Sequence, residues 1–122
     1  MKLHASTPGS ANTITGYGDD YVMVNGERHD RSVIITRERV AGWSAANFDS
    51  LKEQDFAELG SMGLEIVLLG TGRRQRFPHP RLTAALARAR VGVEVMDVKA
   101  ACRTYNILVA EERKVALALL FE

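Results

Sequence analysis

Two groups of residues in this chain could do chemistry. The first is the run Gly70-Thr71-Gly72-Arg73-Arg74-Gln75-Arg76-Phe77-Pro78-His79-Pro80. Glycines let backbone N–H groups come close to a ligand, and arginines pair with carboxylates or phosphates through a planar fork of donors. The run is not a known nucleotide loop. A dinucleotide fingerprint needs a third glycine where Gln75 stands, and a phosphate-cradling loop ends in Gly-Lys-Ser/Thr, which is absent. What remains is a segment, Gly70–Gln75, suited to a small anion or to a protein partner. The plain alternative is a solvated basic loop whose glycines serve its turn.

The second group is Lys99, Arg103 and Asn106. Spacings of four and three place them in one row on a helix. If that row faces the basic loop, the predicted ligand- or partner-binding residues are Gly70, Thr71, Gly72, Arg73, Arg74, Lys99, Arg103 and Asn106. Otherwise the row is a solvated helix face. Cys102 lies on the apolar side of the same helix with Val98, Ala101 and Tyr105, so it reads as a small buried hydrophobe. His4, His29 and His79 are scattered without metal-ligand spacing. Asp19-Asp20, Asp30 and Glu111-Glu112 read as turn and solvent residues. No catalytic residue, cofactor or metal is expected, and an enzyme is the less favoured reading.

The elements that must position these residues follow from periodicity. Tyr21 to Val24 is a short strand, and Asn25-Gly26 is a hairpin turn signal. Arg28 to Thr36 reads as the returning strand, with another extended piece at Val40 to Trp43. Trp43 and Phe48 are expected to seal the core. Ser50, with Glu53 three residues on, is a candidate helix cap. Leu51, Phe56 and Leu59 follow at helical spacing, and Gly60 and Gly63 end that helix. Leu64 to Leu69 is a nearly continuous apolar run, which suggests a strand buried on both faces. Arg81 to Arg90 predicts a helix with Leu82, Ala85, Leu86 and Ala89 inward. Val93 to Met96 is a strand, Asp97 caps a helix through Val109, and Val115 to Phe121 is the last strand. Strands followed by α-β-α-β-α-β predict an α/β fold, with helices packed on a mixed sheet and hairpins at the N-terminus.

Length and composition bound the rest. At 122 residues the chain is expected to form one domain, 1–122, with residues 1–12 flexible. Net charge is +1, too small for a global field that recruits nucleic acid or anionic membrane. Residues 1–60 carry 6 cations against 9 anions, and residues 61–122 carry 10 against 6. Arginines 73, 74, 76, 81, 88 and 90 concentrate the positive excess, but no aromatic residues are interleaved for base stacking. Nucleic acid is therefore an unfavoured partner. A single cysteine excludes an intramolecular disulfide and suits a reducing compartment. The first residues lack the apolar core of a signal peptide, and no run approaches the roughly 18 residues that span a bilayer. A cytoplasmic location is expected, with membrane contact limited to the periphery.

The segment Val67-Leu68-Leu69-Gly70-Thr71-Gly72, then Pro80, then Met96-Asp97 followed by Ala100-Ala101-Cys102-Arg103-Thr104-Tyr105-Asn106-Ile107-Leu108 and Glu111, resembles the Mth-nine-three-eight-like domain of unknown function. Relatives in that family include the mitochondrial complex I assembly factor 3. The resemblance extends from about Ile14 and is most specific over residues 64–120. Val98 stands where the family pattern suggests threonine. The resemblance implies a single three-layer α/β domain, no established catalysis, and an assembly accessory that works through a protein partner.

Overall fold

The computed structural model describes residues 10–121. Five short strands come first: β1 (Ile14–Tyr17), β2 (Val22–Val24), β3 (Glu27–His29), β4 (Val33–Thr36) and β5 (Val40–Gly42). A 3-10 turn at Phe48–Ser50 precedes helix α1 (Glu53–Ala57), which a second 3-10 turn extends through Ser61. Strand β6 (Ile66–Thr71), helix α2 (Ala84–Arg88), strand β7 (Gly92–Met96), helix α3 (Val98–Ala110) and strand β8 (Val115–Leu120) complete the order.

Strands β1–β3 make a small antiparallel sheet, and the other five form a mixed sheet in the order β5-β4-β8-β6-β7. Strand β8 runs antiparallel to β4 and parallel to β6. Alternation along the strands divides the core in two. Val33, Ile35, Leu68, Val115, Leu117 and Leu119 meet Val98, Cys102, Tyr105 and Val109 of α3, together with Ile14, Val22 and Val24 of the small sheet. Ile34, Val67, Leu69, Ala116, Ala118 and Leu120 meet Trp43, Phe56, Leu59 and Leu86 on the other side. The result is a three-layer α/β domain: α1 and α2, the mixed sheet, then α3 with the small sheet.

Several local signals act as read. Asn25 (φ 52°) and Gly26 (φ 86°) both take left-handed backbone, the geometry of a two-residue hairpin whose twist matches its strands. Asp97 Oδ1 accepts from the Ala100 N–H at 2.9 Å and caps α3. Trp43 is buried, stands edge-on to Phe56 at 5.6 Å, and donates its indole N–H to the Asp55 carbonyl at 2.9 Å.

Others differ for identifiable reasons. Arg28 to Thr36 is not one strand. The polar Asp30-Arg31-Ser32 carries the chain between sheets, because fully buried β4 needs cover on both faces while Glu27 and Arg28 are exposed. Ser50 does not cap α1. Asn47 Oδ1 accepts from Ser50 N–H at 2.9 Å and closes the 3-10 turn instead. Leu51 then extends to fill the core, and α1 starts beyond Lys52, whose N–H donates to Asp55 Oδ2 at 2.8 Å. The helix at Arg81 to Arg90 shrinks to α2 after a 3-10 turn at Pro80–Thr83, with Leu86 buried and Ala89 exposed. Gly70 and Thr71 belong to β6 rather than to the loop. Of the residues expected to be flexible, 1–9 lie outside the described residues. Asn12, however, is held: its N–H donates to the Arg37 carbonyl at 2.9 Å, and its side chain donates to the Thr36 carbonyl at 3.0 Å.

Both α2 and α3 end in the same reversed turn. Val91 N–H donates to the Leu86 carbonyl and Arg90 N–H to the Ala87 carbonyl; Arg113 and Glu112 do the same with Leu108 and Val109. Such turns need left-handed backbone at one residue, a position that favours glycine. Here Arg90 and Glu112 each take φ 62°. Glu112 is exposed. The substitution Glu112→Gly should therefore raise unfolding stability by about 1 kcal/mol, read as a higher urea midpoint.

Candidate partner-binding site

The run from Gly70 to Pro80 begins inside β6, at the C-terminal edge where ligands of open α/β sheets bind. The connections from β6 and β7 leave toward α2 and α3, which pack on opposite faces of the sheet, so a crevice could open between these strand ends. It is sealed from within. The Thr71 hydroxyl donates to the Arg74 carbonyl at 2.6 Å and accepts from the Arg76 N–H at 2.9 Å. Gly72 has φ 90°, and its carbonyl accepts from Val98 N–H at 2.9 Å, tying the loop to the start of α3. Gln75 Nε2 donates to the Val95 carbonyl at 2.8 Å on the outer edge of β7.

Gly70 is glycine for packing rather than for a ligand. A Cβ there would sit 2.5 Å from Leu119 Cδ2 and 3.3 Å from Ala101 Cβ. The Arg76 guanidinium carbon lies over the Phe48 ring, 4.1 Å from its centroid, and the side chain reaches Asp49 at 3.2 Å. Arg73, Arg74 and Gln75 are exposed. Phe77 is 71% exposed, among the few large apolar side chains outside the core. The loop is thus internally braced, with two arginines and one aromatic ring displayed outward.

The second predicted group goes elsewhere. Asn106 Oδ1 accepts from Ile14 N–H and its Nδ2 donates to the Ile14 carbonyl, both at 2.9 Å. The amide thereby pairs with β1 as a neighbouring strand would. Arg103 bonds to the Tyr17 side chain, chiefly the reason its pKa rises above the ordinary arginine value. Lys99 Nζ lies 3.6 Å from Asp19, a half-exposed pair worth little alone. The row docks the small sheet on α3. It does not join Arg73 and Arg74, except that Val98, beside Lys99, carries the N–H bonded to Gly72.

Cys102 is fully buried, and loss of solvent pushes its thiol up to about 12, so the nucleophilic thiolate is suppressed at neutral pH. Tyr105 is buried likewise, with its pKa raised by the same cause, and donates to the Asn12 carbonyl at 2.9 Å. No group of three or more His, Cys, Asp and Glu among the described residues could hold a metal ion. An open cleft of about 800 Å³ lies at the opposite end of the parallel strands, and one of about 270 Å³ lies near β5. The loop lines neither of them.

A family profile described as protein of unknown function (DUF498/DUF598) matches residues 14–120, nearly all of the described chain. The chain belongs to that family. DUF498/DUF598 relatives include NADH dehydrogenase [ubiquinone] 1 alpha subcomplex assembly factor 3 of Bos taurus, 29% identical over 109 residues. That match covers 88% of this chain but 59% of the relative, so the chain spans about three-fifths of it. A crystal structure of a Bordetella parapertussis protein superposes with TM-score 0.87 at 39% identity, covering 93% of this chain and 98% of the other. A Bordetella pertussis protein described as a Mth938-like domain has TM-score 0.77 at 36% identity, covering 98% and 92%. Among the described residues no helix is long and apolar enough to cross a membrane.

Sequence reasoning missed Phe77 as a displayed residue. Its position between Arg76 and Pro78, in a run with no helical or strand period to bury it, was the available signal. Two substitutions separate packing from binding. Gly70→Ala should cost about 1–3 kcal/mol through crowding against Leu119, seen as a lower melting temperature. Asn106→Ala should cost about 1–3 kcal/mol and speed amide exchange at Ile14 and along β2, while α1 and β7 stay protected.

Proposed function

We propose that this DUF498/DUF598 chain is a non-enzymatic assembly accessory that holds a protein partner, with Arg73, Arg74 and Phe77 as the contact. The observation that carries this reading is the exposed Phe77 ring beside two exposed arginines on a loop braced by Thr71 and Gln75. Aromatic and arginine side chains dominate binding energy at protein interfaces, and a braced loop loses less entropy on docking. The relatives that are assembly factors support the same class of activity.

Gly70, Thr71 and Gly72 shape the loop under this reading. Lys99, Arg103 and Asn106 hold the small sheet on α3 and lie outside the contact. The partner surface should offer an apolar pocket for Phe77 rimmed by carboxylates for Arg73 and Arg74. Net charge near zero on the chain as a whole makes the local arginines the orienting feature rather than a long-range field.

The test is a tagged chain carrying Arg73→Glu, Arg74→Glu and Phe77→Ala together. All three residues are exposed, so the melting temperature should stay within about 2 °C. Recovery of the specific protein retained by the unaltered chain should fall about tenfold or more, quantified by crosslinking and mass spectrometry. Undiminished recovery would remove the loop from the interface.

A further inference from the structure

The free edge of β5 has features that no known property of the chain uses. Thr36 N–H donates to the Arg39 carbonyl at 2.8 Å, and Trp43 N–H donates to the Ser32 carbonyl at 3.1 Å. Antiparallel pairs alternate between bonded and non-bonded, so with Ile34 opposite Ala41, the backbone groups of Val40 and Gly42 point away from β4. Strand β5 is the end of its sheet. Val40 is exposed, and the space beside the Gly42 Cα is open for 4 Å.

The two clefts described above border this edge. The cleft of about 800 Å³ is floored by Ile34, Ala41, Met62, Leu64 and Val115, and its rim carries four cations, Arg39 and Lys114 among them, interspersed with three glutamates. The cleft of about 270 Å³ is lined by Arg28–Val33 and by Val40, Ala41 and Gly42. Ala41 and Gly42 therefore line both. An incoming strand sends alternate side chains to opposite faces. Here each face already has room for one.

We propose that β5 accepts an extended segment of another protein as a sixth strand, bonded to the backbone of Val40 and Gly42. One large apolar side chain of that segment enters the larger cleft, and acidic residues two positions to either side of it, on the same face, meet the rim cations Arg39 and Lys114. A second copy of this chain fits poorly, since β5 itself offers only Val40, Ala41 and Gly42 to fill 800 Å³. The inference is independent of the arginine loop, which lies at the other end of the sheet.

The probe is a blocked pentapeptide, glutamate–valine–phenylalanine–threonine–glutamate, titrated into the isotope-labelled full chain. Amide resonances of Val40 and Gly42 should shift and gain exchange protection, while those of residues 72–80 stay still. Methylating the peptide's alternate backbone nitrogens, with side chains intact, should weaken binding about tenfold or more, because strand addition is held by main-chain bonds. Val40→Pro removes an outward N–H that β4 does not use and should weaken it about as much. Ala41→Phe, which crowds the larger cleft, is the second variant should the proline disturb folding. No shift at β5 at about millimolar peptide, or equal binding by the methylated peptide, would overturn the proposal. So would dimerisation of the chain through β5 in place of peptide binding.

Discussion

Everything in this molecule depends on the burial of β8 on both faces and both edges. All six residues from Val115 to Leu120 are buried. One edge pairs with β4 and the other with β6. Strands β4 and β5 and the β6-to-β7 unit share no ladder except through this strand. Its side chains answer two different layers. Leu117 and Leu119 face α3, where Val98, Cys102 and Tyr105 leave volume to fill. Ala116 and Ala118 face the other side, where Trp43, Phe56 and Leu86 bring the volume themselves. Interiors are close-packed, so this division of large and small residues fixes which layer each helix can occupy.

The displayed loop inherits its geometry from that strand. Leu119 presses on the Cα of Gly70, and Ala101 and Val98 close in from α3. The end of β6 is thereby set before any loop residue acts. Thr71, Gly72 and Gln75 then spend their hydrogen bonds on Arg74, Arg76, Val98 and Val95. A crevice that many α/β proteins leave open for a cofactor is filled here with the protein's own groups. The surface left over is made of side chains rather than backbone donors, which suits a macromolecular partner better than a small anion.

The fold was largely legible because its strongest signals are local. Asn25-Gly26 takes the backbone of a two-residue hairpin, Asp97 caps α3, and the apolar stretches within 66–69 and 115–120 read as strands covered on both faces. Boundaries were less legible where tertiary burial overrides local preference. Leu51 leaves helical backbone to reach the core, so Ser50 and Glu53 lose their pairing. Strand β4 is drawn into the large sheet away from β3. The site was harder still. Spacing correctly put Lys99, Arg103 and Asn106 in one row, but periodicity does not say what a polar face touches. Only the placement of Ile14, Tyr17 and Asp19 shows that the row is occupied. The open edge of β5 had no sequence signature, since an unpaired strand and a paired one read alike.

The small sheet meets α3 through a buried layer of Ile14, Val22 and Val24, bordered by the Asn106 amide on Ile14, the Arg103 contact with Tyr17 and the Lys99 pair with Asp19. The main sheet, by contrast, is stitched by continuous ladders. Native proteins open first where few buried contacts must break. Strands β1–β3 share no ladder with the five-stranded sheet, so side-chain packing of Ile14, Val22 and Val24 on α3 is what holds them against such opening. Their apolar residues share one cluster with Cys102. The cover that keeps the Cys102 thiol from solvent is therefore supplied in part by a sheet that is not hydrogen-bonded to the strands beneath α3.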